Sequence, residues 1–305
     1  MTDSQKHNDS EHLEDEVEII KIVQDLWKNK LLIFTSTALF LIFAFVYSLS
    51  LPNIYDSKAI LSPVEPDGGA AQGINNISGL ASIAGIDVTN KSNSNTAKAL
   101  KKINTFSFFQ DSILPNIFLP DLMAVDTWDA NTNTILYDDS YNHETNTWNE
   151  TPSTQESHKA FTKILSVNED FNTGFITVSI KHQSPFIAQA WTDLVVNQLN
   201  NFYRAYDKKE AELSLKFLNN QMIKTSFTEI KQVIAFLLQE KMQQLTLIEA
   251  NENYVFSYID PPMVMEEKSS PNRRSISMLG IIFGAMLGIL ISLIRRYNFG
   301  KNKIS

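Results

Sequence analysis

The chain has 305 residues, of which 43% are hydrophobic and 20% charged, and it contains no cysteine. The lack of cysteine excludes a disulfide scaffold, a thiolate metal cluster and a cysteine nucleophile. The net charge is −8, and no basic stripe runs through the sequence. Nucleic-acid binding is therefore not expected, because neutralising phosphates requires clustered lysine and arginine side chains.

Residues 31–51 form an uncharged run of 21 residues that is long enough to cross a membrane. At 1.5 Å per residue, a helix of this length measures about 31 Å, which matches the hydrocarbon core of a bilayer. A cleaved signal peptide is the alternative interpretation. The first 30 residues, however, carry eight acidic side chains, and the apolar run is longer than that of a typical signal. We therefore predict an uncleaved transmembrane helix.

Residues 275–294 form a second uncharged run, and its small residues follow a regular spacing. A buried core helix is the alternative, but such helices usually have a polar face, and this run offers only three serines. Small residues recur at every fourth position, which allows another membrane helix to approach closely. We predict a transmembrane packing surface made of Gly280, Gly284, Gly288 and Ser292.

The charges that flank the two spans predict the topology. Lys21, Lys28 and Lys30 precede the first span, and four basic residues follow the second, so both termini are expected in the cytoplasm. Arg273 and Arg274 oppose this assignment, but long connecting domains cross the membrane largely regardless of charge. Because the predicted cytoplasmic segments are short, we expect no kinase, ATPase or signalling domain on that side of the membrane. The predicted divisions are a cytoplasmic segment (1–30), the first span (31–51), a periplasmic domain (52–274), the second span (275–294) and a cytoplasmic tail (295–305).

The predicted periplasmic domain begins with mixed short elements. Apolar alternation and β-branched residues indicate strands, whereas apolar residues at steps of three and four indicate helices. In chain order we expect a strand at 54–64, a loop or short helix at 79–86, a helix at 96–114 ended by Pro115, loops or a short hairpin at 126–157, a helix at 155–165 and a strand at 175–182.

A long helical region follows. Ser184 and Pro185 are typical of a helix start, and residues 186–260 contain neither glycine nor proline. An unbroken helix over 211–248 would be about 57 Å long and would project from the domain. Two helices bent near Asn219 and Asn220 are the alternative.

The fold class that these elements predict is α+β. Because both ends of the domain must return to one membrane surface, we expect residues 54–61 and 255–259 to lie in one membrane-proximal mixed sheet. Helices would then rise away from the bilayer.

No group of residues has the spacing of a catalytic or metal site. The five histidines show no metal-ligand spacing. Asp129, Asn131 and Asn133 resemble the start of a calcium loop, but Thr134 replaces the required glycine and Ser140 the bidentate glutamate. The pairs Asp138/Asp139 and Glu266/Glu267 are typical of solvated loops. The sequence predicts a protein that is not an enzyme and that uses no cofactor and no metal. The histidines are His7, His12, His143, His158 and His182.

Several segments together resemble the chain-length determinant family, also called polysaccharide co-polymerases. The most specific is YVFSYIDPPMVMEEKSSPNRR, which includes Asp260, Pro261, Pro262 and Pro271 and leads into the glycine-rich span. Met265 stands where the family usually has a third proline. The other matching segments are EIIKIVQDLWKNK (18–30), LPNIYDSKAILSP (51–63), GLASIAGI (79–86) and GFITVSIKHQSPFIAQAW (174–191).

The resemblance implies an inner-membrane protein with a periplasmic α/β base and a long projecting helix. Members assemble into ring-like homo-oligomers that set the modal length of a polysaccharide made by a separate membrane polymerase. The chain resembles the short branch, which acts on O-antigen-type lipopolysaccharide. The implied partners are further copies of the chain, the O-antigen polymerase, the growing lipid-linked polysaccharide and the bilayer, with no nucleic acid. A two-span periplasmic ligand-sensing or adaptor protein that signals through a partner is the alternative, and a glycan-acting enzyme is a third.

Overall fold

The computed structural model describes residue 27 and residues 29–64, 91–251 and 253–301, with the side chains of 91–95 and 296–301 left aside. The chain divides into two compact units, Met1–Asn53 with Ser269–Ser305, and Ile54–Lys268. Several predictions fall outside the described residues. They are most of the N-terminal segment with His7 and His12, the GLASIAGI element at 79–86, and the last four residues of the tail.

Helices and strands are interspersed along the described residues, and each kind is numbered in chain order. The helices are α1 (Lys30–Ser50), α2 (Lys91–Ile103), α3 (Leu119–Met123), α4 (Thr154–Ile164), α5 (Pro185–Lys224), α6 (Thr228–Ala250) and α7 (Arg273–Lys301). The strands are β1 (Tyr55–Pro63), β2 (Val125–Asp129), β3 (Thr134–Tyr137), β4 (Tyr141–Asn142), β5 (Thr147–Trp148), β6 (Leu165–Glu169), β7 (Ile176–His182) and β8 (Phe256–Asp260).

The first unit contains two apolar helices that pack against each other, α1 and α7. Over Lys30–Ser50 and Arg273–Arg295 both are long and apolar enough to cross a membrane. Most of their apolar side chains are exposed, Leu39 and Met286 among them. The core helix of a soluble protein would bury such side chains, so exposure of this kind suits a lipid environment.

The second unit is built around a four-stranded sheet of order β6-β7-β1-β8. β1 pairs with β7 through Tyr55↔His182 to Leu61↔Ile176 and with β8 through Ile60↔Asp260 to Pro63↔Phe256. The α+β class and the joining of the first and last strands of the domain in one sheet are confirmed. The sheet differs from the mixed one expected, since all of its described pairs are antiparallel.

The core lies between one face of the sheet and α5. Ala59, Leu61, Val178 and Ile180 alternate along their strands with more exposed residues, so they bury one face. The first half of α5 contributes side chains to this core, including Val195. A second group of rings from the segment before α3 and from α4 extends it; these are Phe108, Phe109 and Phe161.

The long helical region is a hairpin of two helices. α5 continues through Asn219 and Asn220 and ends at Lys224, after which Thr225 and Phe227 have extended backbone. α6 then packs back along α5. The unbroken helix over 211–248 is therefore wrong, and the bend lies a few residues beyond Asn219 and Asn220. Thr and Ser are weak helix formers, and the reversal lets α6 bury part of its surface on α5.

Two other predictions, one of a helix and one of a short hairpin, differ in detail from the structure. The helix expected over 96–114 is interrupted after α2, where the Thr105 hydroxyl caps the next turn by accepting from the Phe108 N–H at 3.3 Å. Irregular helical turns then run through Pro115 to Asn116. The segment 126–157 contains two small hairpins, β2–β3 and β4–β5.

Candidate functional site

The glycines of α7 lie directly against α1. A Cβ added to Gly280 would lie 2.5 Å from the Ala44 Cβ, and one added to Gly284 would lie 2.7 Å from the Thr37 Cα. Gly288 is equally close, since its added Cβ would overlap the Ser36 hydroxyl. Only residues without a side chain allow the two backbones to approach this closely. The partner that the ridge contacts in the structure is the chain's own first apolar helix.

Polar groups reinforce this contact. The Ser36 hydroxyl lies 2.9 Å from the Gly284 carbonyl oxygen and 2.9 Å from the Ile33 carbonyl oxygen in its own helix, so its single proton is shared between these two acceptors. Ser292, the fourth residue of the small-residue ridge, is buried. In a bilayer, hydrogen bonds between helices replace the hydrophobic drive that water would supply. The close approach and the shared hydrogen bond together link the two apolar helices.

The helical hairpin of α5 and α6 has apolar side chains that the two helices leave uncovered. A groove of about 430 Å³ lies between them, lined by Leu213, Phe217, Leu237 and others, with Ser214 and Lys241 as its polar members. Phe217 is 61% exposed. A pair of helices cannot bury all of its apolar surface by itself. The largest exposed apolar residues of the hairpin are Leu213, Phe217, Ile223, Phe227, Ile230, Val233, Phe236 and Met242.

A row of polar residues on α5 holds the returning segment of the chain. Asp193, Asn200 and Asp207 follow one another at steps of seven, so they share one face of the helix. The Tyr258 hydroxyl donates to Asp193 at 2.9 Å, and the Tyr254 hydroxyl donates to Asp207 at 2.6 Å. The sequence analysis missed this row. Polar residues at heptad spacing inside an apolar stripe were the signal that could have revealed it.

The structure divides the family-motif residues between the two units. Asp260 ends β8, and the buried Pro262 follows it, with the Pro262 carbonyl accepting from Gln189 Nε2 at 3.5 Å. The next carbonyl, that of Met263, accepts from the Ser57 hydroxyl at 2.8 Å. Pro271 belongs to the other unit. The segment after β8 is thus attached to both β1 and α5, and the role of the motif stays a prediction.

The residues considered for chemistry lie in turns or on the exposed surface. Asp129 accepts from the Asn131 N–H at 2.9 Å and from the Thr132 hydroxyl at 2.8 Å, which lowers the pKa of its exposed carboxyl. These are the contacts of a turn. Among the described residues, no group of three or more His, Asp or Glu has the arrangement of a metal site. Glu266 and Glu267 are exposed.

One titratable cluster does form, around His182. The His182 Nδ1 accepts from the Ser184 N–H at 2.9 Å, so Nε2 carries the proton and donates to the Asp121 carbonyl oxygen at 2.8 Å. Burial lowers the pKa of His182 and raises that of the Asp121 carboxyl. The Tyr137 hydroxyl donates to the Asp121 carboxylate at 2.6 Å. Each of these groups is paired, so the cluster positions α3, β3 and the start of α5.

Comparison with known proteins finds a family similarity for the first third of the chain. Residues 15–103 match the family model described as chain length determinant protein (Wzz), a region that includes α1, β1 and α2. No curated protein matches the chain in sequence.

Two solved structures match the chain at low similarity. A full-length bacterial polysaccharide co-polymerase has 15% sequence identity and a TM-score of 0.41, with 92% of this chain and 98% of that chain covered. A fragment of WzzB, a polysaccharide co-polymerase from Salmonella Typhimurium, has 15% identity and a TM-score of 0.32, with 72% and 100% covered. Both scores are low, so neither structure carries an argument about the chain. The finding that bears on identity is the sequence match, by which residues 15–103 are similar to the chain length determinant family.

Proposed function

We propose that the protein regulates the chain length of an O-antigen-type polysaccharide without catalysing a reaction itself. The single observation that carries this function is the match of residues 15–103 to the chain length determinant family. The structure is compatible with it, because Asp129 and Asp138 accept hydrogen bonds within their own turns and Glu266 and Glu267 are exposed. The protein would act as a scaffold beside a separate membrane polymerase and the growing lipid-linked polysaccharide.

The two apolar helices support an inner-membrane location with both termini in the cytoplasm. Each helix is long and apolar enough to cross a bilayer, and they pack together through the glycine ridge of α7. Basic residues precede the first helix and follow the second, which favours a cytoplasmic position for both ends. The unit Ile54–Lys268 would then be periplasmic. The test is a fusion, after Ser305, of a reporter enzyme that works only in the periplasm. Activity of this reporter in the fusion would contradict the topology.

The uncovered side chains of the helical hairpin support assembly into a homo-oligomer. Leu213 and Phe217 are both more than half exposed on α5, and Ile230 and Val233 are exposed on α6. Contiguous apolar surface of this kind on a folded protein marks an interaction site. Several copies standing side by side would cover it, and they would surround the growing glycan and the polymerase.

The function is tested by deleting the gene and separating the surface polysaccharide on a gel. We expect the modal length to disappear and the distribution to broaden, and we expect the intact gene to restore it. An unchanged distribution would remove the proposal. If the deletion altered instead the expression of a nearby receptor pathway, the ligand-sensing or adaptor interpretation would replace it.

Assembly is tested separately with Phe217→Asp. The new charge would be desolvated in a helix–helix contact, so we expect smaller particles in mild detergent by mass photometry and loss of the modal length. Phe171→Asp is the matched control, since Phe171 is 89% exposed in the turn after β6. The oligomer proposal fails if the protein is already monomeric, or if both variants assemble as the original does.

A further inference from the structure

The first and last residues of the second unit leave the sheet at the same end. β1 begins at Tyr55, opposite the last residue of β7. β8 begins opposite Pro63, at the other end of β1, and runs towards the Tyr55 end, reaching Ile60 with its last residue, Asp260. The Ser57 hydroxyl then holds the Met263 carbonyl at 2.8 Å. In sequence, four residues separate the end of α1 from Tyr55, and Met263 lies ten residues before Arg273, the first residue of α7. This end of the sheet is therefore the one from which both connections to the apolar helices depart.

Three consecutive apolar side chains are exposed at this end. Met263 is 60% exposed, Val264 41% and Met265 39%. Single exposed apolar residues are common on protein surfaces, but a run of three in an irregular segment is unusual unless it meets another apolar phase. Met265 is also the position at which the chain departs from the third proline usual in the chain length determinant family.

Aromatic rings stand at the same end. The Tyr55 and Trp128 rings meet edge to face with centroids 5.5 Å apart, and Phe186, which is 46% exposed, lies 6.5 Å from Trp128. One helical turn after Phe186, Gln189 donates to the carbonyl of Pro262, next to Met263. The rings and the methionine segment therefore share one surface, the base patch, made of Tyr55, Trp128, Phe186, Met263, Val264 and Met265.

From this surface we infer that the base patch sits in the headgroup region of the bilayer, as a peripheral contact beside the two spans. The composition fits, because tryptophan and tyrosine concentrate at the membrane–water interface and flexible methionines adapt to an irregular apolar phase. The short connection between the base patch and α7 also supports this position. The eight residues from Met265 to Arg273 reach at most about 28 Å when fully extended. The inference rests on the proposed topology.

The absence of cysteine allows a direct test in the full-length protein. Met263→Cys, Phe171→Cys and Leu39→Cys each give a single thiol for an environment-sensitive fluorophore. Phe171 is exposed near the opposite end of the sheet, and Leu39 is 67% exposed on α1. Each labelled protein is reconstituted at high dilution into phosphatidylcholine vesicles, with and without phospholipid that carries a nitroxide near the headgroup end of its acyl chain.

We expect the nitroxide lipid to quench most of the fluorescence at position 263 and none at 171. Position 39 should be quenched more strongly by a nitroxide placed deep in the acyl chain. If the lipid quenches the label at position 39 but neither the label at 263 nor the one at 171, the inference about the base patch is wrong, and the transmembrane assignment of α1 stands. A label at 39 that no lipid quenches overturns both the topology and the inference. A blue-shifted label at 263 that lipid does not quench would assign the base patch to a second copy instead.

Discussion

The side-chain amide of Asn200 on α5 pairs with both backbone polar groups of Phe256 on β8. Asn200 Nδ2 donates to the Phe256 carbonyl oxygen at 2.9 Å, and Oδ1 accepts from the Phe256 N–H at 2.9 Å. The same oxygen accepts from the Val255 N–H, also at 2.9 Å. Asn200 is only 4% exposed, so it replaces the strand partner that this part of β8 would otherwise need.

Replacing Asn200 by alanine should destabilise the folded protein strongly. Three buried backbone groups would lose their partner, and one such unsatisfied group costs about 1–3 kcal/mol. We expect a lower thermal midpoint for the full chain in detergent than for Asn201→Ala, a matched control on the exposed side of the same helix. Equal midpoints for the two variants would show that Asn200 is not the anchor of β8.

The buried His182 should make stability depend on pH. Burial lowers its pKa in the folded protein below the usual value of 6.5, so the unfolded chain binds a proton first as the pH falls. The stability associated with neutral His182 is therefore complete above pH 6.5 and is lost as the pH falls below it. Protonation would also place an N–H on Nδ1, opposite the Ser184 N–H that now donates to it.

The measurement is the thermal midpoint across this pH range for the original protein and for His182→Asn. The Asn Oδ1 can take the acceptor role of Nδ1 but does not titrate in this range, so the slope just below pH 6.5 should flatten. Burial raises the pKa of the Asp121 carboxyl, so its contribution to stability increases as the pH falls. Both proteins contain Asp121, so comparing them cancels this contribution. A slope unchanged in His182→Asn would contradict the assignment.

Sequence patterns predicted the elements whose periodicity is local. β1 and β7 form as expected, and the pairing of β1 with β8 followed from the need to return the chain to one surface. The break between α5 and α6 at Thr225–Phe227 could not be predicted from local periodicity. The apolar spacing of three and four continues on both sides of it, and only the packing of α6 on α5 favours a reversal.

The polar anchors of the candidate site were missed for a related reason. An asparagine or aspartate on a helix is normally solvated, and only the tertiary structure shows that Asn200 faces the backbone of β8. The glycines of α7 were found because small residues at every fourth position indicate a close helix contact by themselves. What the sequence did not identify was the surface that they contact, which in the structure is α1.

A large side chain at Gly284 should separate the two apolar helices. Even a Cβ there would lie 2.7 Å from the Thr37 Cα and 2.9 Å from the Phe40 Cβ, and neither the backbone nor a Cβ can rotate away. We expect Gly284→Leu to cost about 1–3 kcal/mol, as overpacking of a tight contact does. It should also lower the amount of protein in the membrane. Ala285→Leu, one position along α7, is the control and should be tolerated. Equal accumulation and equal thermal midpoints would contradict the contact.

The helical hairpin predicts that Lys208 and Glu249 are neighbours. Their side chains form an exposed ion pair between the two helices, although 41 residues separate them in sequence. In a continuous helix the same two positions would lie about 62 Å apart. In a chain without other cysteines, Lys208→Cys with Glu249→Cys should therefore be joined by a short bifunctional thiol reagent. The link would be seen as a compact band on a denaturing gel.

The control for this cross-link keeps one cysteine and moves the other. Lys208→Cys with Glu229→Cys combines a position near the open end of the hairpin with one just after its turn. The part of α5 from Lys208 to its end at Lys224 is already about 24 Å long. We expect no link within one chain for that pair. A compact band for both pairs would mean that the helices slide or open. A compact band for neither would contradict the reversal at Thr225–Phe227 and restore the single projecting helix.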